Sequence, residues 1–178
     1  MHDTTTTDGG AGPPDGAGPR LGMIGLGRMG ANLVRRLVAG GGTAAVFDTG
    51  PATATALAEE LGGDVTPAAT LEELVAALPA PRAVWVMVPA AVAGTVVSQV
   101  AALLEPGDVV IDGGNTDWRE DGPRAAELAG RGIAMLDVGT SGGVWGLERG
   151  YCMMVGGTVP AVASLAPVFD VLSPPADS

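Results

Sequence analysis

The hydrophobic positions of this chain fall into short apolar runs that alternate with segments of helical spacing, and the alternation starts abruptly at Arg20. Leu21-Gly22-Met23-Ile24 is an apolar run ending at Gly25, the pattern of a buried strand. Met29, Leu33, Val34, Leu37 and Val38 then recur at helical spacing over residues 28–39, and Gly40-Gly41-Gly42 stops the pattern. Ala44–Asp48 reads as a second strand. Pro51 can open the next helix, where its missing N–H costs nothing, and that helix runs to about Leu61. Thr70 with Glu73 three residues on is a capping-box start for a helix ending near Leu78. Arg82–Val88 is continuously apolar after its first residue, as in a parallel strand covered on both faces. A helix over 91–104, a strand at Val109–Asp112, a helix over 117–130, strands at Ile133–Val138 and Tyr151–Val155, and a helix over 159–172 complete the series.

Strand and helix alternating in this way predict an α/β fold. The expected architecture is a doubly wound, mainly parallel Rossmann-type sheet in three layers with right-handed crossovers. Residues 1–19 are Thr, Gly, Pro, Asp and Ala without apolar periodicity and read as a disordered tail. The domain is expected over 20–175, and 176–178 reads as a truncated end.

Within that frame Gly25-Leu26-Gly27-Arg28-Met29-Gly30 is a G-x-G-x-x-G turn with the context such a turn needs. A strand precedes it, a helix opens at it, and Asp48 ends the second strand 23 residues later. Gly25 allows the tight turn, Gly27 lets a pyrophosphate approach the backbone, and Gly30 lets helix and strand pack closely. The helix start offers N–H groups and the positive end of a dipole to phosphates. A carboxylate at Asp48 can accept from both ribose hydroxyls and repels a 2′-phosphate. No arginine stands near it, so NAD is expected in preference to NADP.

Composition narrows the chemistry. The net charge of −11 makes a nucleic-acid partner unfavourable. All nine basic residues are arginine, and the single histidine is His2, so two common general acid/base side chains are missing from the folded part. Cys152 is the sole cysteine, which excludes a disulfide framework and a cysteine-based zinc site; it reads as a small apolar strand residue. No metal site is expected. No run is long enough for a membrane helix and no leader pattern opens the chain, so a cytoplasmic setting is expected.

Three further segments belong together: Met87-Val88-Pro89-Ala90, Asp112-Gly113-Gly114-Asn115-Thr116, and Asp137-Val138-Gly139-Thr140-Ser141-Gly142-Gly143-Val144-Trp145-Gly146. With the glycine turn they resemble the 6-phosphogluconate dehydrogenases, above all the NAD-preferring bacterial branch within the β-hydroxyacid dehydrogenase superfamily. The resemblance implies oxidative decarboxylation of 6-phosphogluconate to ribulose 5-phosphate in the pentose phosphate pathway. It implies that residues 25–30 form the pyrophosphate turn, that Asp48 meets the ribose, and that Val88 and Pro89 line the cofactor cleft. Asn115 is placed between nicotinamide and substrate, and Ser141, Gly142 and Gly143 on the sugar acid. Read from the residues alone, Gly113-Gly114-Asn115 is also a turn that caps a helix, 140–143 also a linker, and Trp118 and Trp145 loop packing.

The same resemblance exposes departures. The family's catalytic lysine and glutamate lie on a helix just beyond this domain, followed by an all-helical domain; neither is present, so no catalytic residue is assigned. The chain is expected to bind cofactor but to turn over little alone. A homodimer, or docking of the missing helical domain on an exposed apolar face, is expected. A 3-hydroxyisobutyrate dehydrogenase-like reductase domain and a non-catalytic dinucleotide-binding module are the alternatives. Val138-Gly139-Thr140 stands where the former usually has Ala-Pro-Val.

Overall fold

A computed structural model describes residues 18–114, 118–143 and 145–175. Its strands are β1 (Arg20–Ile24), β2 (Thr43–Phe47), β3 (Val65–Pro67), β4 (Ala83–Val86), β5 (Val109–Asp112), β6 (Ala134–Ser141) and β7 (Cys152–Gly156). Its helices are α1 (Arg28–Ala39), α2 (Pro51–Leu61), α3 (Leu71–Ala76), α4 (Ala90–Ala101), α5 (Trp118–Ala129), α6 (Gly146–Arg149), α7 (Val159–Ser164) and α8 (Ala166–Leu172). The strands form one sheet in the order β3-β2-β1-β4-β5-β6-β7. All neighbours are parallel except β6 and β7. This is the expected doubly wound arrangement.

The period of two along each strand sorts the apolar residues into two cores. Leu21, Met23, Trp85, Ile111, Leu136 and Val138 face a layer made by α1, α2, α7 and α8. Ile24, Val84, Val86, Val110 and Met135 face α3, α4 and α5. Burial on both faces explains why β4 and β5 read as unbroken apolar runs. The helix starts obey local chemistry: Pro51 stands in the first turn of α2, and the Thr70 hydroxyl accepts from the Glu73 N–H at the start of α3.

The structure adds β3 and α6 to the expected elements, splits the last helix and exposes Cys152. β3 was not expected: it has only three residues and buries only Val65, too little for a periodic signal. The helix expected over 159–172 breaks at Leu165, because Pro167 lacks an N–H for the preceding turn and crowds its carbonyl. β7 runs antiparallel because residues 142–151 leave room for one short helix, less than a parallel crossover requires. Cys152 lies on that strand as expected, but exposed, not in the core.

At the lower edge of the sheet the buried Asp108 carboxylate ties β4 to β5, accepting from the Arg82 N–H at 2.7 Å and the Glu105 N–H at 2.9 Å. The opposite edge, where the parallel strands end, carries the glycine turn and the other motifs.

Candidate functional site

The turn between β1 and α1 is held by contacts that only glycine permits at two positions. Gly25 has φ +90°, and a Cβ there would run into the Met87 carbonyl. A Cβ at Gly30 would collide with the Gly25 carbonyl, so helix and strand can approach this closely only without one. Gly27 differs: a Cβ there would meet nothing within 4 Å and would point into open space above the helix start. Gly27 caps α1 with no side-chain hydrogen bond, and the first turn holds no acidic residue. The first intrahelical bond joins the Ala31 N–H to the Gly27 carbonyl at 3.0 Å. The N–H groups of Arg28, Met29 and Gly30 therefore have no partner within their helix. The charge of this cradle suits an anion, and the open space over Gly27 leaves room for its approach.

Asp48, just past β2, holds the turn from the side. Its Oδ2 accepts from the Leu26 N–H at 2.8 Å and its Oδ1 from the Gly50 N–H at 2.9 Å. Each carboxylate oxygen keeps a second lone pair. Asp48 is half-buried and Thr49 beside it is exposed. The Gly25 N–H donates to the Phe47 carbonyl at 2.9 Å, which closes β1 on β2 beneath the turn.

Across the switch point between β1 and β4 lies the second wall. The Met87 N–H donates to the Ile24 carbonyl at 2.7 Å, which carries the chain into half-buried Val88 and exposed Pro89. Pro89 caps α4. β5 ends in Asp112, which is wholly buried; its Oδ1 accepts from the Gly114 N–H at 2.9 Å. Its other oxygen lies 3.8 Å from Nη1 of Arg124 on α5. Gly113 sits directly over the indole of Trp85, leaving no room for a Cβ. Asn115, expected between cofactor and substrate, lies outside the described residues.

Asp137 of β6 stands opposite Asp112 in register. Burial, and then the charge of Asp112, raise its carboxyl above the usual carboxylate range.

The expected sugar-acid segment begins as strand. Ser141 ends β6 opposite Cys152, and Gly142 and Gly143 leave the sheet from there. Gly142 and Gly146 both pack against the ring of Tyr151, and a Cβ on either would meet it. Tyr151 is wholly buried, and its hydroxyl has no hydrogen-bond partner among the described residues. Burial raises its phenol, and Arg36 partly offsets this. Trp145 is 58% exposed, with the Arg149 guanidinium 5.0 Å from its ring.

The structure thus brings residues 25–30, Asp48, Val88 and Pro89 together at the ends of β1, β2 and β4, with Ser141–Gly143 leaving β6 on the same strand-end edge. The sequence reading left Asp112 and Tyr151 without a role. A signal existed for each: Asp112 is an acid closing an otherwise apolar strand, and Tyr151 is the only tyrosine.

A family model described as the NAD binding domain of 6-phosphogluconate dehydrogenase matches residues 20–175. An NAD(+)-dependent, decarboxylating 6-phosphogluconate dehydrogenase of Haloferax volcanii is 40% identical over 158 residues, 86% of this chain and 50% of that protein. The decarboxylating 6-phosphogluconate dehydrogenase of Treponema pallidum is 37% identical over 166 residues, 90% of this chain and 33% of its own length. The chain therefore spans half or less of the length of these relatives. Among solved structures, Plasmodium falciparum 6-phosphogluconate dehydrogenase superposes with a TM-score of 0.80 at 27% identity, covering 88% of this chain and 34% of that one. Mycobacterium tuberculosis 3-hydroxyisobutyrate dehydrogenase gives 0.76 at 27%, covering 88% and 52%.

Proposed function

The chain belongs to the family of NAD-binding domains of 6-phosphogluconate dehydrogenases, and from that membership we propose that it binds NAD in preference to NADP and serves the oxidative decarboxylation of 6-phosphogluconate to ribulose 5-phosphate. The observation that carries the cofactor preference is Asp48. Its carboxylate is anchored on both oxygens by the backbone of the turn and of Gly50. It cannot swing aside for a 2′-phosphate without giving up both bonds. The remaining lone pairs accept ribose hydroxyls. The relative from Haloferax is named as NAD(+)-dependent, which agrees; the Plasmodium enzyme is described with NADP+.

In this reading the N–H groups that open α1 hold the pyrophosphate, Val88 and Pro89 flank the nicotinamide half, and Asn115 orients the substrate. Ser141, Gly142 and Gly143 take the sugar acid. A nicotinamide held there would supply the hydride-accepting chemistry; the protein's own part is to bind and orient. A proton acceptor is needed beside the substrate hydroxyl, and the 178 residues contain no lysine to supply it. General-base assistance is worth about 10²–10⁴ in rate. These residues alone are therefore expected to bind cofactor without steady turnover.

Calorimetric titration with NAD+ and NADP+ tests the reading. NAD+ is expected to bind at least tenfold more tightly. Tighter binding of NADP+ would overturn the assignment of Asp48, and no heat from either would overturn the cradle. Steady NADH production from 6-phosphogluconate by this chain alone would overturn the need for an outside base.

A further inference from the structure

We propose that Arg36, near the far end of the cofactor-binding helix, is a positioning residue for the substrate loop: its guanidinium fixes α6 and, through Tyr151, Gly142 against α1. The proposal rests on the reading of Ser141–Gly143 as the sugar-acid subsite.

Arg36 stands in the last turn of α1. Its Nε donates to the Leu172 carbonyl at 3.0 Å and its Nη2 to the Ser173 carbonyl at 2.7 Å. Its Nη1 donates to the carbonyls of Leu147 at 3.2 Å and Glu148 at 3.5 Å. All four acceptors belong to the C-terminal ends of two helices, α6 and α8. Such carbonyls lack intrahelical donors and carry the negative end of the dipole, so one planar cation with five donors satisfies both ends at once.

The Leu172 carbonyl also accepts from the Tyr151 N–H at 2.9 Å. Tyr151 in turn fills the space beside Gly142 and Gly146. A continuous path therefore runs from Arg36 through Leu172 and Tyr151 to the first residues of the loop, and a second runs directly to α6. At about 1.5 Å per residue, α1 sets Arg36 about 13 Å from the Gly27 cradle. One rigid helix thus carries the anion site at its start and the loop anchor at its end. A lysine could place its charge there but could not reach, from one ammonium, the four carbonyls that Nε, Nη1 and Nη2 share.

The test compares Arg36→Met, Arg36→Lys and Arg35→Met in the whole chain. Arg35 is the control, because it faces Glu60 at 2.7 Å on another side of α1. The readouts are amide hydrogen exchange along the chain, NAD+ affinity, and 6-phosphogluconate affinity with NAD+ present. Arg36→Met is expected to speed exchange at 145–151 and 172–173 at least tenfold. β1, β2 and α1 should be unaffected and the NAD+ dissociation constant should stay within twofold. Sugar-acid affinity should fall at least tenfold. Arg36→Lys should follow Arg36→Met, and Arg35→Met should match the parent. Should Arg36→Met fail to fold, Arg36→Lys carries the same readouts.

Unchanged exchange in the loop overturns the proposal. So does acceleration spread evenly over the domain, which would make Arg36 a general stabiliser. If the parent chain binds no sugar acid but the loop still loosens in Arg36→Met, the positioning role stands and the subsite reading fails.

Discussion

At the scale of single residues, the three glycines of the turn separate folding from binding. Gly27 has φ −59° and open space where a Cβ would go. Alanine fits that backbone, and the loss of unfolded-state freedom stabilises by about 0.4–1 kcal/mol. The new methyl group nevertheless stands where the pyrophosphate approaches. Gly27→Ala is expected to keep or raise the melting temperature while NAD+ affinity falls at least tenfold. Gly30→Ala should do the reverse kind of damage: its methyl group meets the Gly25 carbonyl, and overpacking of this sort costs about 1–3 kcal/mol. Thermal melts and calorimetry on both variants check the split. The conformational roles of Gly25 and Gly30 were legible because spacing alone dictates them, and Asp48 was legible as the acid closing the second strand. The hook from Asp48 to Leu26 was not, because a hydrogen bond between residues 22 apart has no local signature. Arg36 was equally silent, since its acceptors are backbone carbonyls more than 100 positions away.

At the scale of elements, local chemistry decided what could be read. α3 has a box in which the Thr70 hydroxyl accepts from Glu73 at 3.2 Å and the Glu73 carboxylate accepts from the Ala69 N–H at 2.7 Å. Thr70→Ala should therefore lower stability by about 1 kcal/mol in chemical denaturation. β3 and α6 escaped because elements of three and four residues bury too little to impose a period. The pairing of β5 with β6 sets a further test. Register puts Asp137 beside Asp112, and burial with that charge raises the Asp137 carboxyl. A carboxyl raised in the folded state gives its full contribution below the unfolded value of ~3.9 and loses it as pH rises through the folded value. Asparagine cannot lose it. Asp137→Asn is expected to melt higher than the parent at pH 7, with the gap closing toward pH 4. A gap that is constant with pH would show that the Asp137 carboxyl is not raised in the folded protein.

At the scale of the molecule, two apolar cores on either side of one sheet hold together a chain whose charge opposes compaction. Twenty acids face nine arginines. Attraction is local: Arg35 meets Glu60 at 2.7 Å and Arg82 meets Glu105 at 3.0 Å. Exposed pairs of this kind contribute about 0–1 kcal/mol each and weaken in salt. Repulsion among the unpaired acids is longer in range, and it is screened once the Debye length falls from about 30 Å at 0.01 M salt to about 8 Å at 0.15 M. The two effects oppose each other, and the excess of acids decides the sign. The melting temperature is expected to rise between 0.01 and 0.15 M NaCl and then to level off, because at 8 Å only near neighbours still interact. A scanning-fluorimetry series over that range reads the balance directly. A melting temperature that fell with salt would mean that the ion pairs on the surface outweigh the net charge of −11.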